Sequence, residues 1–308
     1  MTLQQLRYLI AVAECGSISS AAHSLFISQS SLSVAVKEIE TETGVTVFQR
    51  SNRGITLTND GVELLGYARQ VVEQADLMEQ RYNSSKNESQ QRLAVSTQHY
   101  TFCVEAFVDL VESQDADSYN FIMRETRTAE IIQDVRDFRS DIGVLYLDHF
   151  NTRVLSKTIE DANLIFTPLF KCKPHIFVGE HHPLAQRDSL KIEDLAEFPR
   201  YSFEQGTYNS FFFSEEPLSS LSHKKNIIIS DRGTLSNLLT HHNGYTVATG
   251  VLSSEMHTGI ASIPLETDEE MNMGYLLHAQ RRPGELVKRY IEALKAQIEA
   301  YGITGRAF

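Results

Sequence analysis

Positive charge is scarce in this chain of 308 residues, in which 28 lysines and arginines face 40 aspartates and glutamates, for a formal net charge of −12. Nonspecific affinity for nucleic acid comes mainly from neutralised phosphates. The composition therefore excludes broad electrostatic coating of nucleic acid. Any contact with DNA must be local and defined by geometry.

Uninterrupted apolar sequence is also missing. No stretch of eighteen apolar residues occurs, which excludes a membrane-spanning helix. The N-terminal segment MTLQQLRYLIAVAECGS carries Arg7 and Glu14 within its apolar pattern, whereas a secretion signal has a basic start and then a continuous apolar run. We therefore interpret the segment as an amphipathic helix and expect a cytoplasmic protein without contact to a membrane.

Cysteine is equally rare, and the familiar motifs of enzymes are absent. Cys15, Cys103 and Cys172 are too few and too scattered for a disulfide framework or a thiolate metal site, so we expect buried structural thiols. No G-x-S-x-G elbow, P-loop or G-x-G-x-x-G motif occurs. The pairs His181–His182 and His241–His242 are adjacent in sequence, and adjacent side chains rarely share a metal. The sequence thus predicts no enzyme, no metal site and no cofactor.

What is present begins with a series of short helices. Apolar residues recur at helical spacing up to Gly16, which ends the first helix. Ser17 is placed to cap a short second helix, and Ser28 to cap a third that ends at Gly44.

The third helix has one apolar face and one polar face. At about 100° per residue, Leu32, Val36 and Ile39 fall together and face the core. The opposite face is almost uncharged, within a segment that contains eight serines between Ser17 and Lys37. The residues of this outward face are Gln29, Ser30, Ser33, Val34 and Lys37.

A hairpin follows. Two β-prone runs in VTVFQRSNRGITLTNDG, residues 45–61, flank turn-forming residues and predict the wing of a winged helix-turn-helix. Arg50 and Arg53 give the wing the positive charge that the third helix lacks. Residues 1–60 still carry four basic against five acidic residues, so a single module would bind DNA weakly.

A longer helix, capped by Thr58, comes next. Its apolar residues recur at alternating spacings of four and three, which is typical of a coiled-coil seam. A helix packed on its own domain is the alternative. We expect residues 58–85 to join two copies of the chain. The seam consists of Leu64, Ala68, Val71, Ala75, Met78 and Tyr82.

From Arg92 onward, strands and helices alternate, which predicts parallel α/β sheets with ligand sites at the carboxyl ends of strands. The strand-like segments are RLAVST, NFIMRE, IGVLYL, HIFVGE, RYSFE, NIIIS, YTVATG, IASIPL and MGYLLHA. The helical segments begin near Tyr100 and Thr128 and include IEDLAEF, GTLSNLLTHH and the closing PGELVKRYIEALKAQIEAY.

The N-terminal residues resemble the DNA-binding end of LysR-type transcriptional regulators, through GSISSAAHSL, SQSSLS, IETETG, VFQR and LTNDG in that order. The remainder is similar to that family's effector domain, a two-lobed α/β fold like that of periplasmic solute-binding proteins, and HHPLA at residues 181–185 fits it. A pure solute-binding protein would lack the N-terminal module. Ser30 and Val34 depart from the family, in which Pro and a basic residue are frequent at these positions.

The resemblance implies the division of the chain. Residues 1–61 would form the DNA-binding domain, 58–85 the dimerising helix and 86–91 a hinge. The first effector lobe would comprise residues 92–163 and 266–308, and the second residues 164–265.

The resemblance also implies how DNA is bound. In the family the third helix enters the major groove and the wing reaches the adjacent minor groove or backbone. An inverted-repeat operator on double-stranded DNA, a homodimer or homotetramer, and contact with RNA polymerase follow from it. The implied DNA-binding residues are Gln29, Ser30, Ser33, Val34, Lys37, Arg50 and Arg53.

A small metabolite of unknown identity binds between the lobes in this family. Polar and aromatic side chains at the predicted strand ends are candidates to contact it, with ordinary strand-end and helix caps as the alternative. The candidates are Ser96, Thr97, Gln98, His99, Thr126, Thr128, Tyr146, Ser202 and Phe203.

Two branches of the family are relevant. Thr97 and Gln98, with Ser202, are similar to the pocket of members that govern sulfur assimilation and cysteine synthesis, whose ligands are small amino-acid derivatives or oxyanions. Peroxide sensing needs two reactive cysteines in the second lobe, and no cysteine follows Cys172.

Overall fold

The computed structural model describes residues 1–51, 54–83, 91–116, 118–206, 210–252 and 258–302. The chain divides into two compact units, Met1–Ser89 and Gln90–Phe308. No helix within the described ranges is long and apolar enough to cross a membrane.

The first unit is the predicted winged helix-turn-helix followed by a long helix. Its two strands are antiparallel. The elements are α1 (Leu3–Cys15), α2 (Ile18–Ser24), α3 (Gln29–Thr43), β1 (Phe48–Ser51), β2 (Gly54–Leu57) and α4 (Asn59–Asn83).

The predicted helix boundaries of this unit are confirmed in atomic detail. The hydroxyl of Ser28 accepts a hydrogen bond from the backbone N–H of Ser31 at 3.1 Å, and Ser17 caps α2 in the same way. Gly16 and Gly44 end α1 and α3 with φ of 62° and 72°, the left-handed region that favours glycine.

The apolar face of α3 is buried as its spacing predicts. Leu32, Val36 and Ile39 are 0%, 2% and 1% exposed, in a core shared with α1, α2, β1 and α4. Their burial fixes which side of α3 faces outward.

One carboxylate ties α3 to the wing. Glu40 Oε1 accepts hydrogen bonds from the backbone N–H groups of Val47 at 2.7 Å and Phe48 at 3.2 Å. Both apolar side chains are buried, so this contact sets where β1 starts relative to α3.

The second unit contains two main sheets. Sheet I has the strand order β4-β3-β5-β12-β6, and sheet II the order β10-β7-β11, while β8 and β9 form a separate parallel pair. The strands are β3 (Gln91–Thr97), β4 (Tyr119–Glu125), β5 (Ile142–Leu147), β6 (Leu164–Cys172), β7 (His175–Gly179), β8 (Arg200–Phe203), β9 (Asn226–Ile229), β10 (Thr246–Ala248), β11 (Ile260–Pro264) and β12 (Met271–His278). The helices are α5 (Thr101–Glu112), α6 (Thr128–Arg136), α7 (Thr152–Asp161), α8 (Arg232–His241) and α9 (Glu285–Ala300).

The expectation of parallel sheets is confirmed for β3 with β4 and β5 and for β8 with β9, but not for the remaining strand pairs. Strand β3 is parallel to β4 and β5, but β12 is antiparallel to β5 and β6, and β7 is antiparallel to β10 and β11. The chain leaves sheet I after β6 and returns to it through β12, so these two strands run in opposite directions.

Some elements differ from those that the sequence predicts. Strand β6 and helix α7 were not predicted, because β6 mixes buried and exposed residues irregularly and α7 buries only Leu155 and Ile159. The segment IEDLAEF forms only one 3-10 turn, Ile192–Leu195. Since β6 pairs within sheet I, the lobe boundary expected at residue 164 falls after this strand.

We expect Glu40→Ala to loosen the wing, because two buried N–H groups lose their acceptor, at a cost of about 1–3 kcal/mol. Amide hydrogen exchange of Val47 and Phe48 in the full chain should accelerate accordingly. Glu73→Ala, a change of the same kind at an exposed position of α4, is the control. Unchanged exchange in Glu40→Ala would show that the contact does not hold the wing.

Candidate functional site

The outward face of α3 is the first candidate surface. We call Gln29, Ser30, Ser33, Val34 and Lys37 the reading face. Gln29, Ser30 and Lys37 are exposed, Val34 is 56% exposed and Ser33 is half-buried. Val34 is the one apolar residue of the reading face.

The predicted DNA contacts of the wing are Arg50 and Arg53. Arg50 lies in β1, but its side chain is outside the described residues, and Arg53 lies outside them altogether. Within the reading face, Lys37 carries the one formal charge.

Helix α4 has two apolar faces. One packs on its own domain: Leu65 and Ala68 are 4% and 2% exposed and belong to the domain core. Ala68 was predicted to lie in the coiled-coil seam, but it packs in the core of its own domain. Leu64 is partly buried against the same core.

The other face of α4 is open to solvent. Tyr67, Val71 and Met78 are 59%, 51% and 59% exposed, and Ala75 between them is half-buried. The side chain of Tyr82 is outside the described residues. The predicted seam begins at Leu64 and does not include Tyr67. Residues 67, 71, 75 and 78 nevertheless share one helical face, because they are three or four positions apart.

In the second unit, two predicted effector contacts, Ser96 and Gln98, are hydrogen-bonded within the protein, and a third, Thr97, is fully buried beside them. The hydroxyl of Ser96 donates to Asp134 at 2.7 Å and lies 2.8 Å from that of Ser140.

Gln98 is also fully buried. Its amide N–H donates to Thr128 at 2.6 Å, and its amide oxygen accepts from the hydroxyl of Tyr100 at 2.5 Å. Gln98 and Thr128 thereby fix the end of β3 to the start of α6.

The remaining predicted polar contacts also have partners within the protein. The hydroxyl of Tyr146 donates to the carbonyl of Ser214 at 3.2 Å, and Ser202 lies 3.0 Å from Asn226. Thr126 donates to Glu130. Tyr146, Ser202 and Thr126 do not line the cavity formed at His99 and Phe203, which is described next.

His99 and Phe203 do come together, at a cavity of about 50 Å³ bounded by the end of β3, strand β10 and helix α8. Their rings stack with centroids 3.9 Å apart. The wall is largely apolar and contributed by elements of both sheets. Its apolar members include Phe177, Leu235, Leu239, Val247, Val251, Ile260 and Met271.

Glu215, which also lines the cavity, is hydrogen-bonded directly to His99. Glu215 Oε1 accepts from the backbone N–H of His99, and Oε2 lies at His99 Nδ1, both at 2.7 Å. Burial lowers the pKa of His99, but the adjacent Glu215 carboxylate outweighs burial, and the net pKa is raised. This pair was not predicted, because the two residues are 116 positions apart and Glu215 belongs to no recognisable motif.

A second charged pair, Glu125 and Arg232, lies beside the cavity. Glu125 Oε1 is 3.0 Å from Arg232 Nη2. Neither Glu125 Oε1 nor Arg232 Nη1, both buried, completes a hydrogen bond with any residue in the described ranges. Burial raises the pKa of the Glu125 carboxyl, although Arg232 opposes this.

The acidic end of the cavity is completed by Glu216. Its carboxylate accepts from the backbone N–H of Phe203 at 2.7 Å and from the hydroxyl of Ser214 at 2.9 Å. Burial, reinforced by Glu215, raises the pKa of Glu216 to about 7. The arrangement suits an uncharged or positively charged group here better than a further anion.

The cysteines differ partly from expectation. Cys103 is buried and Cys172 partly so, and burial raises the pKa of each thiol to about 12. Cys15 is exposed, contrary to the expectation of three buried thiols. In the part of the chain that the structure describes, no group of three His, Cys, Asp or Glu side chains is arranged to hold a metal ion.

The two units correspond to two known protein families. Residues 3–62 match the model of the bacterial regulatory helix-turn-helix proteins of the lysR family, and residues 114–299 match that of the LysR substrate binding domain.

Individual proteins are similar as well. The uncharacterised HTH-type transcriptional regulator YnfL of Escherichia coli K12 is 28% identical over 204 residues, which cover 66% of this chain and 65% of that protein. The hydrogen peroxide-inducible genes activator of Haemophilus influenzae is 24% identical over 197 residues, 63% of this chain and 62% of that protein. The matches thus span slightly less than two thirds of these relatives.

The fold is also that of a solved structure, the oxidised form of OxyR from Corynebacterium glutamicum. Its TM-score is 0.50 at 20% sequence identity, and the alignment covers 97% of this chain and 92% of that chain. With one family model matching the helix-turn-helix and another matching more than half of the sequence, the chain belongs to the LysR family of bacterial transcriptional regulators.

Proposed function

We propose that this chain binds a specific DNA sequence through the reading face of α3 and that a small molecule in the cavity at His99 controls its DNA-bound state. The observation that supports the proposal is the presence, in one chain, of a lysR-family helix-turn-helix with an exposed face on α3 and of a LysR substrate binding domain with a cavity at His99 and Phe203. Such a regulator would act in the cytoplasm, on double-stranded DNA, and through contact with RNA polymerase.

The reading face would supply sequence recognition. Gln29 can pair with an adenine edge and Val34 can contact a thymine methyl in the major groove, while Lys37 meets a phosphate. Ser30 and Ser33 would reach bases or phosphates. The arginines of the wing, Arg50 and Arg53, would add backbone or minor-groove contacts.

Affinity would come from duplication. The exposed face of α4 offers Tyr67, Val71 and Met78 to a second copy, and two modules joined in this way would read an inverted repeat. A homotetramer, formed through a further contact between effector domains, is the assembly that the family resemblance implies.

The effector site would centre on His99 and Phe203. The three residues that carried the resemblance to sulfur and cysteine regulators, Thr97, Gln98 and Ser202, lie outside the cavity. Of the two ligand classes that this resemblance implied, the acidic surroundings favour small amino-acid derivatives over oxyanions.

Peroxide sensing is not favoured, although one relative is named for it. A thiol switch needs a reactive thiolate with a partner. Burial raises the pKa values of Cys103 and Cys172 to about 12, so both remain protonated thiols at neutral pH.

We expect Gln29→Ala to weaken binding to an operator selected from random DNA by the unaltered protein, by about 1–3 kcal/mol, and to relax base preference at one position. Fluorescence anisotropy titrations measure the first effect and a repeated selection the second. Gln4→Ala, the same change at an exposed position of α1, should leave both unaltered. Identical affinity and preference in Gln29→Ala would remove this residue from the reading face.

We expect Val71→Glu to dissociate the assembly, because it places like charges opposite each other on the proposed seam. Sedimentation velocity should show a smaller species, and operator affinity should fall with it. Gln70→Glu introduces the same charge about 100° around the helix and should preserve the assembly. Should Val71→Glu sediment like the unaltered protein, α4 is not the dimer contact.

A further inference from the structure

The cavity at His99 has a charged end and an apolar end. His99, Glu215, Glu216 and Arg232 line the charged end, and Glu125 lies behind it, paired with Arg232. The apolar side chains listed above line the other end. Ligand sites in proteins commonly combine a mostly apolar lining with a few convergent polar groups that fix orientation. The chemistry of the charged end therefore identifies the class of ligand.

Two buried polar atoms at this end have unmet hydrogen-bonding capacity. Arg232 Nη1 is a donor that makes no hydrogen bond among the residues described. Glu125 Oε1 is an acceptor that is ion-paired with Arg232 Nη2 at 3.0 Å and makes no further hydrogen bond there. Leaving buried donors and acceptors unpaired costs free energy. A ligand with an anionic acceptor and a cationic donor close together would satisfy both.

We propose that the cavity binds an α-amino acid with an apolar side chain. The ligand's carboxylate accepts hydrogen bonds from Arg232, its ammonium group donates to Glu125 and Glu215, and its side chain lies against the apolar wall. This inference rests on the proposed function, since it names the chemical class of the effector of the same site.

A ligand with only the carboxylate, or only the ammonium group, fits the charged end less well than the whole amino acid. A carboxylate without an ammonium group adds a negative charge beside Glu125, Glu215 and Glu216, where two carboxyl pKa values are already raised by burial. An amine without a carboxylate leaves Arg232 Nη1 unpaired. Only a zwitterion meets both demands without changing the net charge of the site.

Entry of the ligand must open the cavity. Its volume of about 50 Å³ is well below the roughly 150 Å³ of a cavity that admits benzene. The wall that can yield is the one formed by Glu215 and Phe203, which close on His99 through two hydrogen bonds and a ring stack. When the ligand ammonium takes over Glu215, His99 is released, so binding and opening are coupled.

The test is isothermal titration calorimetry on the full chain without DNA, using L-valine, L-leucine and L-methionine. We expect at least one of these three amino acids to give a measurable heat of binding. For valine, the matched half-molecules are 3-methylbutanoate, which lacks the ammonium group, and 2-methylpropylamine, which lacks the carboxylate. Each half should bind at least about tenfold more weakly than the amino acid, the loss expected of one charged hydrogen bond.

Variants locate the contact. Arg232→Gln should weaken amino-acid binding by about 10- to 100-fold, whereas Arg187→Gln, at an exposed arginine with a long 3.8 Å contact to Asp194, should not. If Arg232→Gln fails to fold, as judged by circular dichroism, the half-molecule comparison on the unaltered protein still decides.

Two results would overturn the proposal: no binding of any of the three amino acids, or a half-molecule that binds as tightly as valine. Failure of operator binding would count against the proposed function alone, because the calorimetry contains no DNA.

Discussion

The contact between Glu215 and His99 is the constraint on which the effector unit depends. The Glu215 carboxylate accepts a hydrogen bond from the backbone N–H of His99, just after β3, and contacts the imidazole of the same residue. The carboxylate of the next residue, Glu216, accepts a hydrogen bond from the backbone N–H of Phe203 at the end of β8. Two consecutive acids thus join strand ends from different sheets. Burial of adjacent carboxylates is costly unless hydrogen bonds and cations compensate them, and here the hydrogen bonds to His99, Phe203 and Ser214 provide compensation. In the function we propose, a ligand that replaced one of these partners would shift the arrangement.

The DNA-binding unit solves a different electrostatic problem. The protein is acidic overall, and the reading face carries one formal charge, at Lys37. In the function we propose, recognition would rest on hydrogen-bonding and methyl groups held in position by the buried face of α3, and affinity would come from the wing and from a second copy of the chain. This division of roles would separate sequence recognition from electrostatic attraction, which otherwise draws a protein to any DNA.

Local signals made the first unit predictable. Ser28 and Gly44 act on their own helix ends, and the spacing of Leu32, Val36 and Ile39 determines which side is buried. In the second unit, all strands except β6 were recognisable from the sequence, but the directions of their side chains were not. Ser96 and Gln98 do lie at a strand end, yet their partners are tens of residues away in sequence, and Glu215 is farther still. Long-range partners such as these leave no periodic signal, which is why the contacts of His99 with Glu215 and of Glu125 with Arg232 could not be predicted from the sequence.

The central claim is that the regulator has two states, distinguished by whether Glu215 holds His99, and that the ligand selects between them. DNA footprints of Glu215→Gln and of the unaltered protein, each with and without the tightest-binding amino acid, test this most directly. The account predicts that Glu215→Gln alone gives the footprint that the unaltered protein gives only with the amino acid. A variant that binds DNA and keeps the ligand-free footprint would contradict it.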